Sequence, residues 1–289
     1  MRTTTMREAN EKLPQRGGML PAERRRRIFE RILAQHTVSV SELTEAFGVS
    51  AMTIRRDLQA LEEEGVVEAV HGGAKSTAQS PFELSFAQRE LVEADAKRAI
   101  GRLAAGLVRD GETVALDAST TTLQVARHLS YRQRLTVVTN GIKGAAELGN
   151  RPGIEVIVTG GQLHQTASLV GPFAKATLER LRVDWLFLSG TGISDEFELC
   201  GPSELDAEIK VRMLAIARNA VLVADATKFG RYSYVRVASL SQIHRVVTDG
   251  RIPAKWIEAI ERSGPRLHVA QVGHDGSRDY PFNHDENRH

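Results

Sequence analysis

The sequence predicts an α/β protein of two domains: a small helical unit that ends in a short β-hairpin, and a larger unit built on a parallel sheet. Residues 20–75 contain three short amphipathic segments separated by helix-capping residues. From about residue 96 onward, six short apolar segments alternate with helical patterns, which indicates parallel strands covered by helices on both faces. Lysine and arginine are in excess up to residue 56, and acidic residues are in excess from there to residue 75. Such a division suits a small domain that presents one basic face to a polyanion.

Composition excludes several other classes of protein. The 289 residues are 42% hydrophobic and 26% charged, with a net charge of +2, as in an ordinary globular protein. No apolar run reaches the roughly 18–20 residues that a bilayer span requires, and the polar N-terminus lacks the apolar region of a secretory signal. We therefore predict a cytoplasmic protein with no membrane partner. The single cysteine, Cys200, rules out an internal disulfide, and the sequence predicts neither a metal site nor a cofactor.

The first domain is predicted to span residues 20–75, after a disordered polar tail over residues 1–19. Residues that start or end helices divide it into three helices, because short polar side chains cap helix N-termini, proline suits a first turn and glycine suits a C-terminal position. These residues are Pro21, Ser39 with Glu42, Gly48 and Ser50. The alternating stretch VVEAVHGGAK, residues 66–75, then predicts a hairpin.

The second and third predicted helices have the spacing of a helix-turn-helix, which lays its second helix in the major groove of DNA. Ile54, Leu58 and Leu61 share the inner face of the third helix, so the opposite face is polar and basic. That outer face consists of Met52, Thr53, Arg55, Arg56 and Gln59. The arginines could bind guanine or phosphate, or they could pair with Asp57 or Glu62 on a solvated surface. The sequence leaves both interpretations open.

The second domain is predicted over residues 96–270, between a connector over residues 76–95 and a disordered tail over residues 271–289. The connector contains Pro81 and no long apolar run. Six buried strands are expected in the domain, because six short apolar segments are bounded by turn signals. These segments are residues 113–117, 135–139, 154–159, 183–189, 220–225 and 244–249.

Polar residues follow several of these strands, and ligands of open α/β sheets bind beyond the carboxyl ends of the strands. After the first strand, LDASTTTLQVA places small hydroxyl residues at the start of a helix, where free N–H groups attract an anion. Thr120 and Thr121 could bind a phosphate there, or they could act only as helix caps. Further polar or small residues at the same edge are Thr139, Asn140, Gly160, Gly161, Ser189, Gly190 and Asp225.

The segments VSVSELTEAFGVS and MTIRRDLQALEEEGVVEAVHGGA, within residues 24–74, closely resemble the DNA-binding domain of the DeoR/GlpR family of regulators. The TIRRDL helix and the HGGA hairpin typical of the family are both present. The resemblance implies a winged helix-turn-helix, in which the third helix contacts DNA and the hairpin is the wing. The predicted DNA-binding residues are Ser50, Met52, Thr53, Arg55, Arg56, His71 and Lys75.

The second domain resembles the family's sensor domain over about residues 86–250, and members are similar in fold to ribose-5-phosphate isomerases. The family pattern Asp-x-Gly-Thr-Thr occurs here over residues 117–121, with Ser119 in place of glycine. The pattern Glu-Ala-x-x-Lys occurs over residues 206–210, with Asp206 in place of glutamate, and DATKFG contributes Lys228. The predicted effector-binding residues are Asp117, Ser119, Thr120, Thr121, Thr139, Asn140, Gly190, Asp206 and Lys228.

The sequence therefore predicts a repressor of a carbohydrate or polyol catabolic operon, controlled by a phosphorylated sugar or polyol. A single helix-turn-helix buries limited surface, so we expect a homodimer or homotetramer on double-stranded operator DNA. Two alternatives are a sugar-phosphate isomerase with an accessory DNA-binding domain and a nonspecific architectural DNA-binding protein. Ser119 and Asp206 disfavour the isomerase, since catalysis needs a well-placed base. The architectural protein would leave the second domain without a role, and we expect no enzymatic activity.

Overall fold

The computed structural model describes residues 19–77, 84–164 and 167–273. Almost all of the two predicted tails, over residues 1–19 and 271–289, lies outside these ranges. The chain divides into two units, Met1–Thr77 and Ala78–His289. No helix among the described residues has both the length and the apolar character needed to span a membrane.

The first unit is a winged helix-turn-helix of three helices and three short antiparallel strands. The helices are α1 (Pro21–Gln35), α2 (Val40–Phe47) and α3 (Ala51–Glu63). The strands are β1 (Thr37–Ser39), β2 (Val67–Val70) and β3 (Gly73–Ser76). They form one sheet in the order β1-β3-β2, in which β2 and β3 make the wing hairpin.

The predicted capping residues start and end α2 and α3. Ser39 and Glu42 form a reciprocal capping box at the start of α2, and the helix ends at Gly48 with φ +64°. Glycine suits this position because a Cβ disfavours the left-handed conformation. Ser50 caps α3 by accepting a hydrogen bond from the Thr53 N–H. The turn between the two helices is therefore determined by local side-chain chemistry.

The second unit is built on a seven-stranded parallel sheet in the order β15-β14-β12-β9-β4-β5-β6. Its strands are β4 (Thr113–Leu116), β5 (Leu135–Thr139), β6 (Ile154–Val158), β9 (Val183–Leu188), β12 (Ala217–Val223), β14 (Arg245–Asp249) and β15 (Arg266–Ala270). Six of these correspond to the predicted strands, and β15 was not predicted.

Smaller strand groups accompany the large sheet. One is the antiparallel pair β7 (Gln162–His164) and β8 (Ser168–Val170). The other is an antiparallel sheet of β10 (Gly192–Ile193), β11 (Glu198–Gly201) and β13 (Val235–Ser239). The helices of this unit are α4 (Phe86–Leu91), α5 (Ala94–Ala105), α6 (Thr120–Leu129), α7 (Ile142–Leu148), α8 (Pro172–Glu179), α9 (Glu204–Ile216) and α10 (Ala254–Ser263).

Helices cover both faces of the large sheet, and alternate residues of each strand pack on opposite faces. In β9, Leu186 and Leu188 belong to a cluster that includes residues of α8, α9 and α10. Trp185 and Phe187 belong to a second cluster that includes residues of α5 and α6. This arrangement explains why the strands are continuously apolar in the sequence.

The structure differs from the prediction in the segment taken as a connector, residues 76–95. This segment contains α4 and the start of α5. Ser85 and Gln88 form a reciprocal capping box that starts α4, and Phe86 is 8% exposed. Burial of one aromatic ring and a capped N-terminus stabilise a helix too short to show in the sequence pattern.

Candidate DNA-binding face and effector site

The basic face of α3 is exposed to solvent. Arg55 and Arg56 form no hydrogen bond or ion pair within the part of the chain that the structure describes. Asp57 is 4% exposed and accepts hydrogen bonds from the Arg24 guanidinium at 2.6 and 3.3 Å. Glu62 accepts a hydrogen bond from a backbone N–H of β2 at 3.1 Å. The two alternative acidic partners are thus engaged elsewhere, and the guanidinium groups of Arg55 and Arg56 are available to a polyanion.

Three further residues predicted to bind DNA lie at the N-terminus of the same helix. The Thr53 N–H donates to Ser50 Oγ at 3.2 Å, and the two hydroxyl oxygens lie 3.0 Å apart. Met52 is 59% exposed. The N-terminal turn of a helix attracts phosphate through its free N–H groups and its dipole, so this turn adds a second feature that favours DNA.

The wing carries the remaining two predicted residues. His71 is exposed in the turn between β2 and β3, and the Lys75 ammonium lies 3.1 Å from the Glu68 carboxylate on the paired strand. Gly73 packs so closely on β1 that a Cβ there would overlap the carbonyl oxygen of Val38. Gly73 of HGGA therefore allows the wing to approach β1 closely.

In the second unit, the N-terminus of α6 lies at the carboxyl edge of the sheet. Ser119 is its N-cap, in a reciprocal capping box with Thr122. Its φ of −110° is ordinary for any residue, so serine fits without strain where the family pattern has glycine. Thr120 and Thr121 occupy the first two positions of α6, and neither hydroxyl has a hydrogen bond within the described ranges. Ser119 and Thr122 line a narrow cleft at this edge.

Asp117 is buried directly before this helix and is fully engaged. Oδ1 accepts hydrogen bonds from the Ser119 N–H at 3.1 Å and from Thr122 Oγ1 at 2.9 Å. Oδ2 accepts from the Ser189 N–H at 2.9 Å and forms an ion pair with the Lys210 ammonium. Because its acceptor sites are occupied, Asp117 is placed to orient Lys210 and the α6 cap rather than to contact an effector.

Thr139 and Gly190 also have structural roles that the sequence did not indicate. Thr139 Oγ1 donates to the Leu116 carbonyl at 2.8 Å and accepts from the Gly141 N–H at 3.0 Å. A side chain at Gly190 would collide with Leu199 of β11. Both residues therefore support the edge of the sheet from within, and direct contact with an effector is not what their positions favour.

Asp206 lies in the first turn of α9 and faces β7 and β8. Its carboxylate accepts a hydrogen bond from Ser168 Oγ at 2.5 Å. His164 Nδ1 lies 3.5 Å from its second oxygen, too far for a good hydrogen bond. Four residues along the helix, Lys210 also donates to the Ser189 carbonyl at 2.9 Å. The first turns of α9 thus bring a carboxylate and an ammonium to the same edge of the sheet.

Lys228 lies in the turn that follows β12, at the same carboxyl edge. It is half-buried, and burial lowers the pKa of its ammonium, an effect that the nearby Asp225 charge opposes. Lys97 of α5 is 3% exposed, and burial lowers its pKa to about 8. Asp225 again opposes this shift, which places Lys97, Lys228 and Asp225 within electrostatic reach of one another.

Several buried polar atoms at this edge have no hydrogen-bond partner among the described residues. They are Arg89 Nε, Asn140 Oδ1, His164 Nδ1, Asp225 Oδ2 and Thr248 Oγ1. Buried polar atoms are almost always hydrogen-bonded, so such a group indicates a place where a ligand or water supplies the missing partners. No group of three metal-ligating side chains occurs among the described residues.

The sequence reasoning missed four residues of this edge: Arg89, Lys143, His164 and Lys210. Lys143 lines the cleft from the first turn of α7. Lys210 is the lysine of the Glu-Ala-x-x-Lys pattern and lies four residues after Asp206, on the same helical face, so the sequence already pointed to it. Arg89 and His164 gave no such signal, since one lies in the predicted connector and the other in a two-stranded pair that the pattern did not predict.

A solvent-facing basic helix with a wing, joined to a parallel sheet with a polar carboxyl edge, defines a DNA-binding regulator with a ligand-sensing domain. The model of the DeoR-like helix-turn-helix domain matches residues 24–80, and that of the DeoR C terminal sensor domain matches residues 92–250. The chain belongs to the DeoR family of transcriptional regulators.

Individual relatives agree with this assignment. The "HTH-type transcriptional regulator GlpR" of Haloferax volcanii is 41% identical over 247 residues, covering 85% of this chain and 96% of that protein. The "HTH-type transcriptional repressor CsqR" of Escherichia coli is 32% identical, covering 81% of this chain and 90% of that protein. Among solved structures, ribose 5-phosphate isomerase A from Methanocaldococcus jannaschii matches 47% of this chain and 54% of that chain, with 17% identity and a TM-score of 0.36.

Proposed function

We propose that the protein represses a carbohydrate or polyol catabolic operon and that a phosphorylated sugar or polyol changes its affinity for the operator. In this proposal residues 20–75 bind DNA and residues 96–270, together with α4, bind the effector. The protein binds its operator as a homodimer or homotetramer, because one helix-turn-helix contacts only one half-site.

The observation that supports DNA reading best is the free guanidinium groups of Arg55 and Arg56. Arginine side chains near the start of a recognition helix bind guanine bidentately or clamp phosphates. Since Arg24 satisfies Asp57, no described acidic side chain competes for them. Ser50, Met52, Thr53, His71 and Lys75 would extend the contact along the helix N-terminus and the wing.

Replacement of either arginine tests this role. An operator is first selected from random duplexes with the full-length protein, and affinity is then measured by fluorescence anisotropy. Arg55→Ala and Arg56→Ala should each weaken operator binding about 5- to 150-fold, the range for losing one bidentate base contact. Arg109→Ala removes an exposed arginine of the second unit and should have no effect. Wild-type affinity in both α3 variants, with intact helix content, would exclude α3 as the reading element.

For the effector, the best support is the combination of the α6 N-terminus with unpaired polar groups and cations at one edge. The α6 N–H groups and the hydroxyls of Ser119, Thr120 and Thr121 would bind a phosphate. Asn140, Asp206 and Lys228 would bind the polyol portion, with Lys210 as a further cation. In this arrangement Asp117, Thr139 and Gly190 hold the site together and do not contact the effector.

A screen of sugar and polyol phosphates by thermal shift identifies the effector, since a ligand of the folded state raises the melting temperature. The double variant Thr120→Ala/Thr121→Ala should lose most of the affinity, measured by calorimetry, because it removes both hydroxyl donors. The matched variant Thr120→Ser/Thr121→Ser keeps the hydroxyls and should retain binding. Both variants should bind operator like the wild type when effector is absent. Undiminished affinity in the alanine variant would reject this pocket.

A further inference from the structure

Helix α4 lies against α6 beside the proposed phosphate site. Its first residue, Phe86, lines the same narrow cleft as Ser119 and Asp117. One turn further along, the Glu90 carboxylate accepts a hydrogen bond from Arg127 of α6 at 2.6 Å. Helix α4 therefore packs along α6, with Phe86 at the cleft beside the α6 N-terminus and Glu90 at the last turn of α6.

Arg89, on this same helix, has an unused buried donor. Its guanidinium carbon lies 5.7 Å from the centre of the Phe86 ring. Its Nε atom is buried and has no hydrogen-bond partner in the described part of the chain. Burial lowers the pKa of Arg89, and the charges of Asp206 and Asp117 oppose that change. An arginine remains charged in any protein setting, so a cation with a free N–H lies near both carboxylates.

Neither carboxylate supplies the missing acceptor. Asp117 accepts hydrogen bonds from backbone and side-chain donors of its own loop and from Ser189, and it pairs with Lys210. Asp206 accepts a hydrogen bond from Ser168. A buried N–H without an acceptor is costly, so an oxyanion that reached Arg89 Nε would be bound more tightly for that reason.

The backbone around Arg89 is held in place from beneath. The buried ammonium of Lys97 donates to the carbonyl oxygens of Arg89 and Val92, the latter at 2.6 Å. These carbonyls belong to the C-terminal end of α4, where a positive charge is favourable. The guanidinium therefore projects from a fixed point, and the fork of its N–H groups is preorganised for a planar or tetrahedral oxyanion.

We propose that Arg89 binds the phosphate of the effector together with the N-terminus of α6, so that α4 is part of the effector site. This proposal rests on the proposed function of the site as a sugar-phosphate sensor. It also gives α4 a regulatory position, because residues 78–83 alone separate the N-terminal unit from the start of this unit's described chain at residue 84. Binding of an effector at this site should then affect α4, the helix of this unit that is nearest in sequence to the DNA-binding unit.

The test uses full-length protein with inorganic phosphate and ribose 5-phosphate as probes and ribose as the uncharged reference. Arg89→Gln should weaken binding of ribose 5-phosphate about 10- to 150-fold, as expected for losing a charge-assisted hydrogen bond. Arg89→Lys should recover part of the affinity, since lysine keeps the charge but not the fork. Arg98→Gln on α5 removes an exposed arginine paired with Asp95 and should leave affinity unchanged.

Two further readouts separate contact with the anion from a purely structural role. The wild type should bind ribose 5-phosphate more tightly at pH 7.5 than at pH 5.5, because the second phosphate ionisation lies near pH 6, and Arg89→Gln should reduce this preference. Ribose 5-phosphate should also slow amide exchange in α4 of the wild type but not of Arg89→Gln. If Arg89 were only a structural counter-ion, Arg89→Gln would lower the melting temperature without changing either readout.

The outcomes distinguish this proposal from the function on which it rests. In one outcome the wild type binds ribose 5-phosphate, and the Thr120→Ala/Thr121→Ala variant loses binding. If folded Arg89→Gln and Arg89→Lys then retain wild-type affinity, Arg89 is not an anion ligand and only this inference fails. If the wild type binds neither phosphate probe nor any compound of the phosphate panel, both proposals are overturned.

Discussion

The buried ion pair between Arg24 and Asp57 should control the stability of the winged unit. Arg24 is 9% exposed and Asp57 is 4% exposed, and two hydrogen bonds join them at 2.6 and 3.3 Å. Arg24→Met leaves the Asp57 carboxylate buried without its cation, a change that costs about 3–5 kcal/mol. A small domain has a free energy of unfolding of about 5–15 kcal/mol. The variant should therefore be close to unfolding in this unit.

Amide hydrogen exchange over α1 and α3 measures this loss, because it reports the unfolding free energy of the unit separately from the rest of the chain. Arg27→Met is the matched control: it removes an arginine of the same helix whose partner, Glu23, lies 2.6 Å away, with 41% of the Glu23 side chain exposed to solvent. Such an exposed pair contributes only about 0.2–1 kcal/mol.

The double variant Arg24→Met/Asp57→Leu removes both charges and should recover most of the lost stability. It should also restore operator binding, since it leaves the outer face of α3 intact. Equal losses in Arg24→Met and Arg27→Met would refute the reasoning, because burial of the pair would then have no energetic consequence.

Two further predictions concern pH and the wing. The folded pKa of Lys97, about 8, lies below its ordinary value of 10.5, so the unfolded chain binds more protons between these values. The free energy of unfolding should rise by about 3 kcal/mol from pH 8 to 10.5, and urea titrations of Lys97→Met should lack this rise. Gly73→Ala should destabilise the wing by about 1–3 kcal/mol, because its Cβ would overlap the Val38 carbonyl. Gly72→Ala has open space but φ +78° and should cost about 1 kcal/mol. Faster exchange in β1 and β3 of Gly72→Ala than of Gly73→Ala would contradict this.

Much of the fold could be predicted because its signals are local. The cap residues Ser39, Gly48 and Ser50 each act on the turn that contains them, and five of the six predicted strands are largely apolar because both of their faces are covered; the sixth, β6, lies at a sheet edge and is half-buried. The seventh strand, Arg266–Ala270, is half-exposed at the sheet edge, so it has no continuous apolar run. Helix Phe86–Leu91 was missed because six residues are too few to show a helical period.

Some features of the candidate sites could likewise be predicted from the sequence, and others depended on the tertiary structure. The order of the helices, the outward face of Arg55 and Arg56 and the hydroxyl run at Thr120 follow from spacing alone. Spacing alone does not show which arginine of residues 24–27 is buried. Arg24 becomes internal only because it pairs with Asp57, 33 residues away.

At the sheet edge, the family pattern placed Asp117 beside the site, but only the tertiary structure shows that its carboxylate oxygen accepts a hydrogen bond from the Ser189 N–H and pairs with Lys210. The same holds for Arg89, whose relevance depends on a helix packing beside the α6 cap. A sequence determines periodicity, capping and turn chemistry, because these act over a few residues. It does not show which distant donors satisfy a given acceptor, because that depends on how the elements pack, and the remaining unpaired groups identify the candidate site.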